Sequence, residues 1–439
     1  MSIENEDMKR RWEKRERMRQ QAKKQRKRLI IGLVIAGVIL AAVAVLIIVM
    51  SQGGEKKPEA TQPIASDTSP GETTPAETTP EPTTTQGSYS NADKTVIRLA
   101  AAGDFNVTDK TVAAGGTMFN YTNMLLDVVP VLSRADITVM NFEGNLIGSP
   151  YGSQTHGAPQ SMADALYRAG VDFVQVANSW SLENGHSGLS QTISNFRLAG
   201  LEPLGAYTTN AEAERTGGYT LCTVRGIKIA FIAFTKGMDS GRAMQPKYDQ
   251  CINVLYTDYD STYKRIDRSG ITAVIDRAKE EEPDLIVAMV HWGSEYNDTI
   301  SESQQDIRDL MFSQGVDAII GTHPHYLHAM EYDEKKGTFV AYSLGDFTGD
   351  GARAGTAYSV ILELEITKDN RSNKTKITGY TYTPIYPTEG SDGLLRVMRL
   401  ENAIASYESK YLDRVSQAVY EDMKYALERI HARIHAEVK

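Results

Sequence analysis

Two cysteines, Cys222 and Cys251, are all that the 439 residues contain. That excludes a disulfide framework as the basis of stability, even in an oxidising compartment. One bridge between them and two ordinary thiols both fit the sequence, and their spacing matches no metal motif. A general surplus of positive charge is also missing. The chain carries −9 at pH 7, and because residues 1–28 hold 12 Lys/Arg against five acidic residues, the rest carries −16. The long C-terminal part therefore has no general attraction for nucleic acid or other polyanions. Residues 51–92 have almost no large apolar side chain with which to offset the entropy of ordering, so they read as a disordered stalk. Their repeated Thr, Pro and Glu favour extended backbone, and at ~3.1 Å per residue the stalk reaches as far as ~120 Å.

What is present begins with an uninterrupted apolar run from Leu29 to Met50, without a charge or a proline. At about 1.5 Å per residue it reaches roughly 33 Å, enough to span a bilayer. A cleaved signal peptide would have an apolar region of roughly 7–15 residues followed by small residues; this run is longer and ends in LIIVM. The Lys/Arg excess in residues 1–28 sets the orientation: single pass, N-terminus cytoplasmic, C-terminal domain extracytoplasmic. The basic tail itself suits anionic lipid.

The remaining chain reads as one domain over residues 93–399 and a helical extension over 400–439. Apolar runs of strand length end in polar clusters in TVIRLAAAGDF, ADITVMNFEGNL, VDFVQVANSWSLENG, PDLIVAMVHWGSEY, VDAIIGTHPH and TFVAYSLGDF. Helix-like patterns alternate with them, as in SMADALYRAG, QTISNFRLAG, ITAVIDRAKEEE and QQDIRDLMFSQG, the first two ending in an Ala-Gly pair suited to a C-cap. This alternation predicts an α/β fold with functional groups at strand ends. YTLCTVR and IKIAFIAFT flank Gly226 as a hairpin, so the sheet arrangement is expected to be mixed.

Four strand ends carry residue types that bind divalent metals: Asp104, Glu143, His291, and the pair His323 and His325 around Pro324. Taken singly, the acids also suit turns or solvated surface, and His291 suits a hydrogen-bonded core. The His-Pro-His triplet is sharper, because the proline ends the regular backbone between two imidazoles. Gathered at one sheet edge, the set gives mixed His/carboxylate ligation suited to Mn, Fe or Zn, with room for two ions.

With GDFNV at 103–107, NFEGNL at 141–146, ANSWSLENGHSGLSQT at 177–192, GIKIAFIAFT at 226–235, HWGSEY at 291–296, GTHPHYLH at 321–328 and YSLGDF at 342–347, the chain resembles the CapA capsule-synthesis family. That family is also called the PgsA or poly-γ-glutamate biosynthesis family and is related to calcineurin-like metallophosphoesterases. The resemblance covers roughly residues 95–365. It implies a four-layer αββα sandwich, a divalent-metal site at strand C-termini, and a role in making, exporting or anchoring a polyglutamate-type capsule polymer with membrane partners. It also implies that Asp104 and His325 hold one metal, that Glu143 bridges, and that His291 and His323 hold the second.

The third motif departs from the family. Where the family usually reads ANNH, with the second Asn a ligand and the His an acid or substrate contact, this chain has Ala177, Asn178, Ser179 and Trp180. Serine is a poor substitute ligand, and an indole relays no proton near neutral pH. Asn178 and His186 are the nearby residues left to compensate. Asp346 stands where the family usually has Asn, and its charge either adds a ligand or faces solvent. The expected function is a capsule-biosynthesis protein with a metal site of reduced hydrolytic activity. The competing reading is a non-catalytic surface scaffold or adhesion protein.

Overall fold

The computed structural model describes residues 93–438. The tail, apolar run and stalk expected from the sequence lie outside the described residues, and among those described no helix is long and apolar enough to cross a membrane.

In chain order the strands begin with β1 (Lys94–Asn106), β2 (Ile137–Glu143), β3 (Asn145–Leu146), β4 (Gly157–Ala158), β5 (Phe173–Gln175), β6 (Glu202–Leu204), β7 (Tyr219–Val224) and β8 (Ile227–Thr235). They continue with β9 (Leu285–His291), β10 (Ala318–Thr322), β11 (Met330–Asp333), β12 (Thr338–Ala341), β13 (Asp346–Thr348), β14 (Ser359–Asp369), β15 (Lys374–Glu389) and β16 (Leu395–Arg399). One sheet has the order β16-β15-β14-β1-β2-β5-β6, with β13 also paired to β1; the second runs β11-β12-β10-β9-β8-β7. Both are mixed. β1, β2, β5 and β6 are parallel, as are β8, β9, β10 and β12, while β14 and β7 pair antiparallel with their neighbours β1 and β8.

Three apolar cores separate four layers. On β8, Ile229, Phe231 and Ala233 join Ile97, Leu99, Ala101 and Val139 of the first sheet in a core between the sheets. The alternate residues Ala230, Ile232 and Phe234 pack with Ile271, Ile275, Ile307 and Met311 of the helices Arg268–Glu280 and Glu302–Ser313. The outer face of the first sheet, with Met140 and Phe142, is covered by Leu166, Ile193 and Phe196 of the helices Gln160–Ala169 and Gly185–Ala199. The period of two puts successive side chains on opposite faces, and a sheet covered on both faces needs the continuous apolar runs seen in the sequence.

Local signals explain the connections. Arg225 and Gly226 both take positive φ, 49° and 79°, which gives the tight hairpin turn between β7 and β8 its twist. Gly170 and Gly200, the caps expected from the Ala-Gly pairs, sit at φ 111° and 98°. The two cysteines form no bridge, and burial pushes the Cys222 thiol up to about 12 and Cys251 to about 11. The region after residue 399 forms two helices, Leu400–Glu408 and Gln417–Ile434. The second of them sends Met423, Ala426, Ile430 and Ile434 into the core between the sheets.

Candidate metal centre

Parallel strands present their C-terminal ends together, and here the ends of both sheets meet. Asp104 lies near the end of β1, where Gly103 is needed: a Cβ there would come within 1.9 Å of the Gly345 carbonyl oxygen, to which the Asp104 N–H is bonded at 3.0 Å. The Asp104 carboxylate crosses to the other sheet and accepts the His323 backbone N–H at 3.1 Å. Asn141 and Glu143, two apart on β2, share a face. The Asn141 amide N–H group is shared between Asp104 Oδ1 at 2.8 Å and Glu143 Oε1 at 3.0 Å, and so holds both carboxylates.

The second sheet supplies the imidazoles. His291 ends β9 fully buried, with Nε2 at 3.0 Å from Ser179 Oγ and Nδ1 at 3.0 Å from Thr322 Oγ1. His323 and His325 follow β10 at φ 97° and 62°, backbone on the positive-φ side that residues with a side chain rarely adopt. His323 Nδ1 also faces Ser179 Oγ, at 3.4 Å, and its Nε2 lies 3.3 Å from the Lys236 ammonium. His325 Nδ1 bonds Asp346 Oδ1 at 2.7 Å, and its ring stacks on Tyr296.

The donor atoms fall into two sets that could hold a cation: Asp104, Glu143 and His291, and Asp104, His325 and Asp346. Asp104 is the residue common to both, and Glu143, expected to bridge, reaches only the first. The difference follows from Glu143 being drawn toward Asn141 and His291, while Asp104 lies between the sheets. His323 belongs to neither set, its Nδ1 being turned to Ser179.

The electrostatics of the metal-free centre are those of crowded, buried acids and bases. Burial raises Asp104 to about 6 against the pull of His325, and it raises Glu143 well above the usual carboxylate range, helped by the Asp104 charge. Asp346 is raised by burial too, with His325 opposing. Burial holds His291 and His323 well below the ordinary imidazole value. His325 goes the other way: burial lowers it, but the Asp346 charge and hydrogen bond, with Glu143 and Asp104, win and hold it well above. Three carboxylates repelling one another and two imidazoles kept neutral form a donor set whose repulsion a divalent cation removes. Glu143 Oε2 is buried with no hydrogen-bond partner, an acceptor whose desolvation is uncompensated without such an ion. The residues present therefore fit a divalent metal.

Of the residues expected to compensate in the third motif, the structure brings one to the centre. Asn178 is there, but its amide is spent on structure: Nδ2 donates to Asn141 Oδ1 at 3.1 Å and to Phe142 O at 2.7 Å, while Oδ1 accepts the Trp180 N–H. His186 stands apart from the centre, in the first turn of the helix Gly185–Ala199, stacked on Tyr248 and bonded to the Thr208 carbonyl. It is Ser179 whose hydroxyl lies between His291 and His323. Trp180 does not enter the apolar cores; its half-buried indole stacks on His156 at 3.5 Å between ring centroids. Asp346 is buried against His325 rather than facing solvent.

Sequence reasoning missed Asn141, Lys236 and Tyr296. The first was signalled by its spacing of two from Glu143 within one strand. Lys236 follows β8 directly and is half-buried, its ammonium donating to the Gly293 carbonyl at 2.8 Å.

Residues 98–350 match the family described as bacterial capsule synthesis protein PGA_cap. The capsule biosynthesis protein CapA of Bacillus anthracis is 26% identical over 234 residues, 53% of this chain and 52% of that one. The PGA biosynthesis protein CapA of Bacillus subtilis (strain 168) is 28% identical over 202 residues, 46% of this chain and 48% of that one. The chain thus spans about half the length of the curated relatives it matches. Among solved structures, a calcineurin-like phosphoesterase YfkN from Bacillus subtilis aligns over 66% of this chain and 90% of that one, with 15% identity and a TM-score of 0.43.

Proposed function

The chain belongs to the bacterial capsule synthesis protein PGA_cap family, and on that premise we propose that it is a membrane-anchored, extracytoplasmic protein of polyglutamate-type capsule biosynthesis with a divalent-metal centre of reduced hydrolytic power. The observation that carries the metal reading is the convergence of six buried titratable side chains, Asp104, Glu143, His291, His323, His325 and Asp346, with Glu143 Oε2 left without a partner. Asp104, Glu143 and His291 would hold one ion, and Asp104 and His325 a second. Such an ion supplies Lewis-acid polarisation of an ester or amide oxygen.

The chain's own residues prepare the site. Asn141 fixes the two carboxylates in one orientation. With an ion bound, Asp346 would accept from His325 Nδ1 and leave Nε2 for the ion, the outer-shell arrangement that orients a ligating imidazole. Ser179 presents a hydroxyl where a stronger ligand would hold charge, and Trp180 brings no group that exchanges protons near neutral pH. Those two residues support binding with weakened hydrolysis over efficient turnover.

The test is metal analysis of the full chain purified in detergent with Mn²⁺ or Zn²⁺ supplied. Native protein is expected to retain the ion, and His325→Ala or Glu143→Ala to lower its content sharply with the far-UV circular dichroism unchanged. No retained metal in the native chain rules the centre out and favours the scaffold reading.

A further inference from the structure

The metal centre is lined by acids in a chain of net charge −9, yet Lys236 and Arg353 near it make no ion pair among the described residues. The Lys236 ammonium has three N–H groups. One goes to Gly293 O at 2.8 Å and one points at His323 Nε2 at 3.3 Å, and the Tyr263 ring lies 4.8 Å away. The Glu295 charge acts on it only from beyond ion-pair distance, and a half-buried ammonium with no counter-charge in contact is costly unless a ligand supplies one. The Arg353 guanidinium lies 3.9 Å from the centre of the Tyr296 ring, which itself stacks on His325. Lys236 thus touches one imidazole of the His-Pro-His triplet directly, and Arg353 reaches the other only through the Tyr296 ring.

We propose that Lys236, seconded by Arg353, binds an oxyanion of the substrate, a carboxylate or a phosphate, and thereby recruits an anionic chain to a centre whose surroundings repel one. The proposal deepens the metal reading and rests on it for the position of the reacting group. It also resolves how an acidic protein takes an anionic polymer: a local pair of cations, rather than overall charge, makes the contact.

Calorimetric titration of the full chain with inorganic phosphate and with glutarate, in Mn²⁺ and again in EDTA, tests it. Lys236→Met is expected to weaken anion binding by roughly 10- to 100-fold, the contribution of one charge-assisted hydrogen bond, with Mn²⁺ content unchanged. Lys236→Arg should restore most of the loss. Arg353→Met, on the surface and safe for folding, should weaken binding at least threefold. The anion that suffers more in Lys236→Met identifies the oxyanion as phosphoryl or carboxylate. Binding within twofold of native in both Lys236→Met and Arg353→Met overturns the proposal, as does a native chain that binds neither anion in either condition. Loss of Mn²⁺ together with the anion in Lys236→Met overturns it too, making Lys236 a support of the metal site. A native chain that takes up no Mn²⁺ sinks the metal reading instead, and the EDTA titrations then decide this one.

Discussion

Ser179 shows how one side chain sets the strength of a site. Its hydroxyl occupies the locus shared by His291 Nε2 and His323 Nδ1, so the geometry for a ligand survives while the donor is weak. The double change Ser179→Asn with Trp180→His lengthens the donor by one atom and adds a proton-transfer group, a contribution typically worth about 10²- to 10⁴-fold in rate. Turnover of an aryl phosphodiester in Mn²⁺ is expected to rise at least tenfold; native turnover already in the ordinary range of about 1 to 10³ s⁻¹, without a gain, refutes a weakened centre. His328 carries a different expectation. Burial lowers its imidazole to about 4, its Nε2 bonds Asn297 O at 2.9 Å, and its Nδ1 has no partner. Because the folded value lies below the unfolded one of about 6.5, the unfolded chain takes the proton first as pH falls. The stability held by neutral His328 is therefore complete above pH ~6.5 and lost on the way to pH ~4, on the order of 3 kcal/mol. His328→Gln keeps a donor for Asn297 without titrating. Its unfolding free energy should fall less steeply than the native one across that window in denaturant melts, and equal slopes would refute the assignment.

Among the elements, the helix Gln417–Ile434 has the least expected role. Its charge pattern resembles a surface helix, and its outer face is indeed exposed, but Met423, Ala426, Ile430 and Ile434 lie in the core between the sheets. It closes the sandwich over β15, where the Tyr386 hydroxyl donates to Asp422 at 3.0 Å. Ile430→Ala should then cost about 2–5 kcal/mol, the range for emptying a buried aliphatic site. A change below about 0.5 kcal/mol, the surface range, would show that the helix is only laid on the domain.

For the whole molecule, charge and hydropathy distribution carry the proposal about placement. Twelve basic residues before an apolar run of 22 residues, with Lys56 and Lys57 the nearest cations beyond it, predict an N-terminus inside and the domain outside. Protease added to intact cells is expected to remove the domain and leave a membrane-embedded fragment of roughly 50 to 90 residues. Survival of the domain until lysis would reverse the orientation.

Much of this architecture was readable in the chain itself, because periodicity and punctuation are local. The runs of β8 and β9 announce strands buried on both faces, the Ala-Gly pairs announce helix ends, and the His-Pro-His triplet announces a strand end with two imidazoles. What the sequence by itself determined is the type of the elements with a clear period, the mixed α/β character, and which side chains stand at strand ends. Only the tertiary structure decided how those ends face one another: that Asp104 reaches His323 across two sheets, that Asn141 ties two carboxylates together, that His186 lies elsewhere, and that Lys236 arrives beside His323. These depend on contacts between different strands, 219 positions apart for Asp104 and His323 and 37 for Asp104 and Asn141. They are made by strand register and sheet stacking, which no local period encodes.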